Sequence, residues 1–276
     1  MTGPRSTPRT AEPRASVRSE LGRVREVNED SALARYPLYL VADGMGGHSR
    51  GDVASRTTIE LLDAAIAPGA PTTVAALVGA VEAANAAVRA LGAETVSGTT
   101  LTGMAVAVAE DGERHWAIVN VGDSRVYSWS GRTLTQLTVD HSVVQELIDA
   151  GALAPVDADR HPERNIITRA IGAFDTVAVD VWLLPYVPGQ VFLICSDGLT
   201  KELSIEQLEH LFAAYTGSDG VSLADALVEA AVEAGGHDNV SAIVVETGGG
   251  EDGPRPGTGT RERPRQLEDT LPRGIA

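Results

Sequence analysis

Four aspartates in this chain share one local setting. Asp43 closes the apolar run LYLVAD, Asp123 closes AIVNVGD, Asp197 closes VFLICSD, and Asp238 stands just before VSAIVV. Each is flanked by Gly, His or Asn, residues that suit turns. An acid that leaves a buried strand at a turn can reach a shared sheet edge. Four carboxylates at one edge repel one another unless cations lie between them. Hard divalent ions that take oxygen ligands, Mn²⁺ or Mg²⁺, meet that demand. The glycines after Asp43 (Gly44, Gly46, Gly47) would let backbone approach an ion, with the Gly44 carbonyl as a candidate ligand. Upstream, REVNED adds Arg25, Glu29 and Asp30.

The elements that must position these acids come in blocks. SALARYPLYLVAD reads as two short strands, and GDVASRTTIELLDAAIA and PTTVAALVGAVEAANAAVRALG as two helices. The second helix carries Val74, Leu77, Val78, Val81, Val88 and Leu91 at helical spacing. Four strand-like runs follow (TLTGMAVAVAE, RHWAIVNVGD, RVYSWSG, TLTQLT), then a helix near 141–150 and an irregular stretch over 151–170. Strands AVDVWLL and QVFLICSD come next, then helices near 204–215 and 221–234, and a last strand VSAIVVET. Ser204 and Gln207 are spaced as a capping box. Strands grouped with strands and helices with helices predict an α+β fold of antiparallel sheets covered by helix pairs, not a doubly wound parallel sheet.

Composition narrows the function. Of 276 residues, 38 are Asp or Glu and 22 are Lys or Arg, a formal net charge of −16. Such acidity disfavours nucleic acid and anionic membrane surfaces as partners. Cys195 is the single cysteine, so neither an intrachain disulfide nor a cysteine metal knuckle is available. No apolar run is read as the roughly 18–20 residues of a membrane span, and MTGPRSTPRTAEPR lacks the apolar core of a secretory signal. The expectation is a cytoplasmic protein without a membrane segment. Residues 1–14 and 248–276, rich in Pro, Gly, Arg and acids, are expected to be disordered, leaving one folded domain over 15–247.

The ordered set VREVNEDS (24–31), VADGMGGH (41–48), SGTTLTGMAV (97–106), NVGDSRVY (120–127), LTVDHSVVQELIDAGAL (137–153), NIITRAIG (165–172), LICSDGLT (193–200) and HDNVSAIVV (237–245) resembles the bacterial metal-dependent protein phosphatases, the type 2C serine/threonine phosphatases. The resemblance implies a four-layer αββα sandwich, two antiparallel sheets flanked by helix pairs. It also implies two core Mn²⁺ or Mg²⁺ ions and a weaker third. Asp43 would bridge the core ions, with the Gly44 carbonyl beside it and Asp197 and Asp238 as further core ligands. Asp123 would hold the third ion together with Asp197. Glu29 and Asp30 would bind metal directly or through water, and Asn239 would brace Asp238. Arg25 would grip the substrate phosphate with its guanidinium fork. The 151–170 stretch would form a flap beside the site, with His161 and Arg164 as candidate phosphopeptide contacts. Two ions about 3.5–4 Å apart would activate a shared water as hydroxide for in-line attack on phosphorus, with no phosphoenzyme.

Two positions depart from the family pattern. Met45 stands where eukaryotic members often carry the His proposed as leaving-group acid, and His48 lies three residues further on. Lys201 stands where an acid often helps the third ion. Implied partners are phosphoserine and phosphothreonine proteins and a bacterial serine/threonine kinase with its targets; the oligomeric state is not readable. The alternative is a pseudophosphatase that binds phosphoproteins without turnover. An aspartyl-phosphate enzyme would need a partner acid that CSDGLT lacks, and the acids do not follow the loop spacing of an EF-hand. Packing is expected for Trp116, Trp129, Trp182 and Cys195, helix capping for the Asp140–His141 pair, and bracing of the acidic turn for Arg125.

Overall fold

Side chains alternate between two cores along strand β3 (Leu38–Gly46) of the computed structural model, which describes residues 12–46, 50–91, 97–109, 112–215 and 221–248. Leu38, Leu40 and Ala42 pack toward helices, whereas Tyr39 and Val41 pack toward a second sheet. This two-residue period is the pleat of a strand buried on both faces. The remaining elements are β1 (Arg14–Glu20), β2 (Asp30–Arg35), α1 (Gly51–Ala65), α2 (Val74–Leu91), β4 (Ser97–Thr99), β5 (Leu101–Val108), β6 (Arg114–Val121), β7 (Arg125–Trp129), β8 (Leu134–Gln136), α3 (Val143–Asp149), a 3-10 turn (Pro155–Arg160), β9 (Asp180–Pro185), β10 (Val191–Cys195), α4 (Asp197–Glu202), α5 (Ile205–Ala214), α6 (Leu223–Ala234) and β11 (Val240–Glu246).

One sheet has the order β1-β11-β10-β7-β8 and the other β2-β3-β5-β6-β9, with β4 paired to β3. All strand pairs are antiparallel. Helices α1 and α2 cover the second sheet through Ala54, Leu62, Leu77, Val81 and Val88. Helices α4, α5 and α6 cover the first through Leu199, Leu208, Phe212, Leu227 and Ala231. Between the sheets lies a third core of Tyr39, Met104, Trp116, Ile118, Phe192, Ile194 and Ile243. The expected four-layer αββα sandwich is the observed fold.

Helix α2 has the length and composition of a membrane span, with mean hydropathy 1.5 over 18 residues. Its stripe at Leu77, Val78, Val81 and Val88 is buried in the helix–sheet core. Trp116, Trp182 and Cys195 are buried as expected, and Ser204 and Gln207 form the expected capping box.

Three elements escape the sequence reading. Strand β1 starts at Arg14, paired with Glu246, so the boundary expected after residue 14 falls one residue late. RASVRSE is mostly polar because β1 ends the order of its sheet, where alternate side chains meet solvent. Strand β4 has three residues and helix α4 six, both too short to show a period. The expected capping by Asp140–His141 is also corrected. Ser142 is the N-cap of α3, accepting from the Gln145 N–H at 3.3 Å, while Asp140 takes a bidentate contact from Arg125.

Ile194 is fully buried between the sheets, two residues before the β10 chain leaves the core. Ile194→Ala is expected to lower unfolding free energy by about 2–5 kcal/mol, measured by chemical denaturation.

Candidate active site

The same pleat that sorts the cores carries the acids to one end of the sandwich. Asp30 and Asp43 are direct cross-strand partners on β2 and β3. Both continue the row that faces the other sheet, after Ala32 and Val41 respectively. From the opposite sheet, Asp197 follows β10 and Asp238 precedes β11, at the ends where these two strands pair. Asp123 sits in the turn where the chain passes from β6 in one sheet to β7 in the other. That turn uses Gly122 at φ 111, a backbone conformation open chiefly to glycine.

Hydrogen bonds hold Asp30, Asp43, Asp238 and the turn that carries Asp123. The Asp43 N–H donates to Thr100 Oγ1 at 2.9 Å, and its carbonyl accepts from the Thr100 N–H at 2.8 Å and Thr99 Oγ1 at 2.9 Å. Asp30 Oδ2 accepts from Ser196 Oγ at 2.8 Å, and that oxygen accepts from the Ser241 N–H at 3.0 Å. Asn239 ties three segments together: Oδ1 accepts from the Glu29 N–H, and Nδ2 donates to the Leu21 and Val27 carbonyls. Its own N–H donates to Asp238 Oδ1 at 2.9 Å. The Asp123 turn is held by His141, whose Nδ1 accepts from the Gly122 N–H at 3.1 Å. That nitrogen therefore carries no proton, and Nε2 donates to Asp180 Oδ2 at 3.2 Å. Sequence reasoning missed Asp180, which lies on a separate strand.

Gly44 has a different physical reason from the one the sequence suggested. A Cβ there would collide with the Gly51 carbonyl at the start of α1 and lie 2.6 Å from the Glu29 carbonyl oxygen. The missing side chain is required by protein backbone, packed where β3, α1 and the Glu29 segment meet. Gly47 and His48 lie outside the described residues.

Arg25, Glu29, Asp43, Gly44, Met45, Thr100, Asp123, Asn165, Ile167, Asp197, Lys201 and Asp238 line a cleft of about 310 Å³. Arg25 Nη2 lies 2.8 Å from Asp238 Oδ1. Lys201, one helical turn beyond Asp197, places Nζ 2.5 Å from Asp197 Oδ2 and 3.5 Å from Asp238 Oδ2. A larger groove of about 580 Å³ between β1 and α6 has mixed charges, with Arg18 already paired to Glu20 and Asp225. The carboxylates that share one space are in the smaller cleft.

Burial and mutual repulsion make Asp30, Asp43 and Asp123 resist ionisation. Desolvation, then Asp30 and Asp197, push Asp43 well above the usual carboxylate range. Desolvation raises Asp30 to about 7 against the Ser241 and Ser196 hydrogen bonds. Desolvation and Asp197 raise Asp123 to about 7. Burial also raises Glu29, which accepts from the Gly51 N–H.

The donor set fits divalent cations. Oδ1 of Asp30 and Oδ1 of Asp197 are buried without a hydrogen-bond partner, and an acceptor-only oxygen in that state calls for a cation. Among the described residues no three His, Cys, Asp or Glu side chains already close into a cage.

The family described as Protein phosphatase 2C matches residues 24–230. The chain belongs to the protein phosphatase 2C family. It is 34% identical over 242 residues to the serine/threonine phosphatase stp of Listeria welshimeri, covering 84% of this chain and 95% of that protein. It is 37% identical over 243 residues to PstP of Mycobacterium tuberculosis, spanning 84% of this chain and 45% of that one. The solved M. tuberculosis PstP/Ppp structure matches with TM-score 0.76 at 35% identity, over 86% of this chain and 99% of that chain. A PstP catalytic domain solved in complex with two manganese ions matches with TM-score 0.71 at 33% identity, over 85% and 97%.

In this protein phosphatase 2C chain, the expected residues Arg25, Glu29, Asp43, Gly44, Asp123, Asp197 and Asp238 meet at the cleft, and Asp30 lies buried against it. The 3-10 turn and the loop after it place Asn165 and Ile167 in the lining, not His161 and Arg164. His161 Nδ1 instead accepts from the Glu163 N–H, and its carbonyl from the Arg164 N–H.

Two expectations follow. Acids with raised folded-state pKa values bind more protons folded than unfolded. They therefore favour folding below the unfolded value of about 4 and lose that contribution as pH rises through about 7. Metal-free protein is expected to melt at lower temperature at pH 8 than at pH 6, with the trend weakened or inverted in excess Mn²⁺, which requires the ionised acids. Asn239→Ala is expected to weaken Mn²⁺ binding roughly 10–100-fold, measured by titration calorimetry.

Proposed function

We propose that this chain is a serine/threonine phosphoprotein phosphatase that hydrolyses phosphomonoesters at the carboxylate-lined cleft. The observation that carries the reading is the cluster of Asp30, Asp43, Asp123, Asp197 and Asp238, with two buried, unpartnered oxygens and Arg25 at its rim. A phosphate dianion cannot approach such a wall unless cations lie between them. Asp43, the Gly44 carbonyl, Asp197, Asp238, Glu29 and Asp30 would hold two Mn²⁺ or Mg²⁺ ions, with Asp123 as a further ligand. Such ions supply Lewis acidity and a nucleophile from water at neutral pH.

The chain's own residues orient the reaction. Arg25 is half exposed and bound at one end to Asp238, leaving guanidinium N–H groups for phosphoryl oxygens. Water attacks phosphorus in line, the bond to the Ser or Thr oxygen breaks, and that oxygen takes up a proton. Met45, a thioether, cannot supply the proton. Burial would lower Lys201, but Asp197 and Asp238 outweigh it and raise its pKa, so it keeps its own. The open cleft leaves solvent as the donor. Asn165 and Ile167 line the cleft and would contact the peptide around the phosphoresidue.

The bacterial phosphatases similar to this chain support phosphoserine and phosphothreonine proteins as the substrate class, with a bacterial serine/threonine kinase opposing the enzyme in the cytoplasm. The catalytic domain is taken as 15–247, extended to include Arg14. No observation favours a pseudophosphatase.

Metal-stripped protein is expected to release phosphate from a phosphothreonine peptide only after Mn²⁺ is restored. Asp43→Ala and Asp197→Ala, folded by circular dichroism, are expected to lose that activity; turnover in chelator would overturn the reading. Arg25→Ala is expected to lower kcat/KM roughly 10–100-fold, the loss of a charge-assisted contact of about 1.5–3 kcal/mol.

A further inference from the structure

Lys201 is the only lysine among the 22 basic residues of the chain, and it stands inside the carboxylate cluster. Its ammonium contacts Asp197 and Asp238 and lines the same cleft as Asp123, where its charge opposes the rise in that acid's pKa. The fold fixes it there. Helix α4 begins at Asp197, so a residue four positions on lies over the same face. The first turn of α4 is pressed on the 238–239 backbone: a Cβ on Gly198 would collide with the Asn239 carbonyl. A side chain at 201 is thus held above both Asp197 and Asp238.

Residue type matters as much as place. A guanidinium is a broad planar fork, whereas an ammonium is a compact, strongly hydrated point charge with freely rotating donors. Of the two basic side chains, it is the one closer in form to a small metal cation. Tethered by its own stem, it is present at any metal concentration.

We propose that Lys201 is a built-in cation that takes the position a further divalent ion would occupy beside Asp123 and Asp197, and so limits the cluster to two exchangeable ions. The ammonium supplies one positive charge where an ion would supply two, and it cannot be removed by chelation. It also makes the metal-free cluster tolerable, because Asp197 and Asp238 keep a counter-charge when no ion is bound. This inference rests on the metal-centre reading above.

The test is Mn²⁺ stoichiometry by equilibrium dialysis on wild type, Lys201→Asp and Lys201→Asn, each checked for fold by circular dichroism. Wild type is expected to bind two ions, and Lys201→Asp three, the added ion being lost again in Lys201→Asp/Asp123→Asn. Lys201→Asn guards against misfolding of the acidic variant and is also expected to admit a third, weaker ion. Lys201→Met is expected to melt lower than wild type without metal but alongside it in saturating Mn²⁺, enlarging the thermal shift on metal addition. Three ions on wild type, or two on a folded Lys201→Asp, would overturn the role of Lys201 and leave the metal centre standing. No Mn²⁺ on wild type would overturn the metal centre itself, and this inference with it.

Discussion

Repulsion between carboxylates is the constraint on which the rest of this structure depends. Asp30, Asp43, Asp123, Asp197 and Asp238 are brought to one end of a sandwich whose interior is otherwise aliphatic and aromatic. Left to themselves, such groups would protonate or push the sheets apart. The chain answers with neutral hydrogen-bond donors, Ser196 Oγ to Asp30 and the Asn239 N–H to Asp238, and with Arg25 and Lys201 as counter-charges. The positive charge still missing is what divalent ions would supply, and only then could a phosphate approach.

Strand pleat explains why the acids meet at all. A side chain two residues beyond a core residue points the same way, so the inter-sheet row of Tyr39 and Val41 runs on into Asp43. The site is therefore an extension of the core in which Phe192, Ile194 and Ile243 pack between the sheets.

Much of this was legible in the sequence. An apolar run that stops at Asp43, Asp123 or Asp197 announces a strand end and an acid at once, and the grouping of strands and helices announced the layers. What stayed hidden depends on contacts distant in sequence or on elements too short to show a period. RASVRSE does not look like a strand until β11 is beside it. The helix that aims Lys201 has six residues. His141 looked like a cap because its partners, Gly122 and Asp180, come from other segments. Gly44 looked like an approach to metal, yet its immediate neighbours are the Gly51 and Glu29 carbonyls. Within the 151–170 stretch, composition alone could not separate His161 and Arg164 from the Asn165 and Ile167 that reach the cleft.

The pairing of β1 with β11, Arg14 opposite Glu246, has a temporal side. Arg25 follows β1 and Asp238 precedes β11, and they touch only once those strands are neighbours. During synthesis, at about 5–20 residues per second, the early strands must wait for the late one before the cleft can close around anything. A nascent chain that ends before β11 thus carries Asp30, Asp43, Asp123 and Asp197 without the finished cleft, which is complete only when β11, the last of the described strands, joins β1.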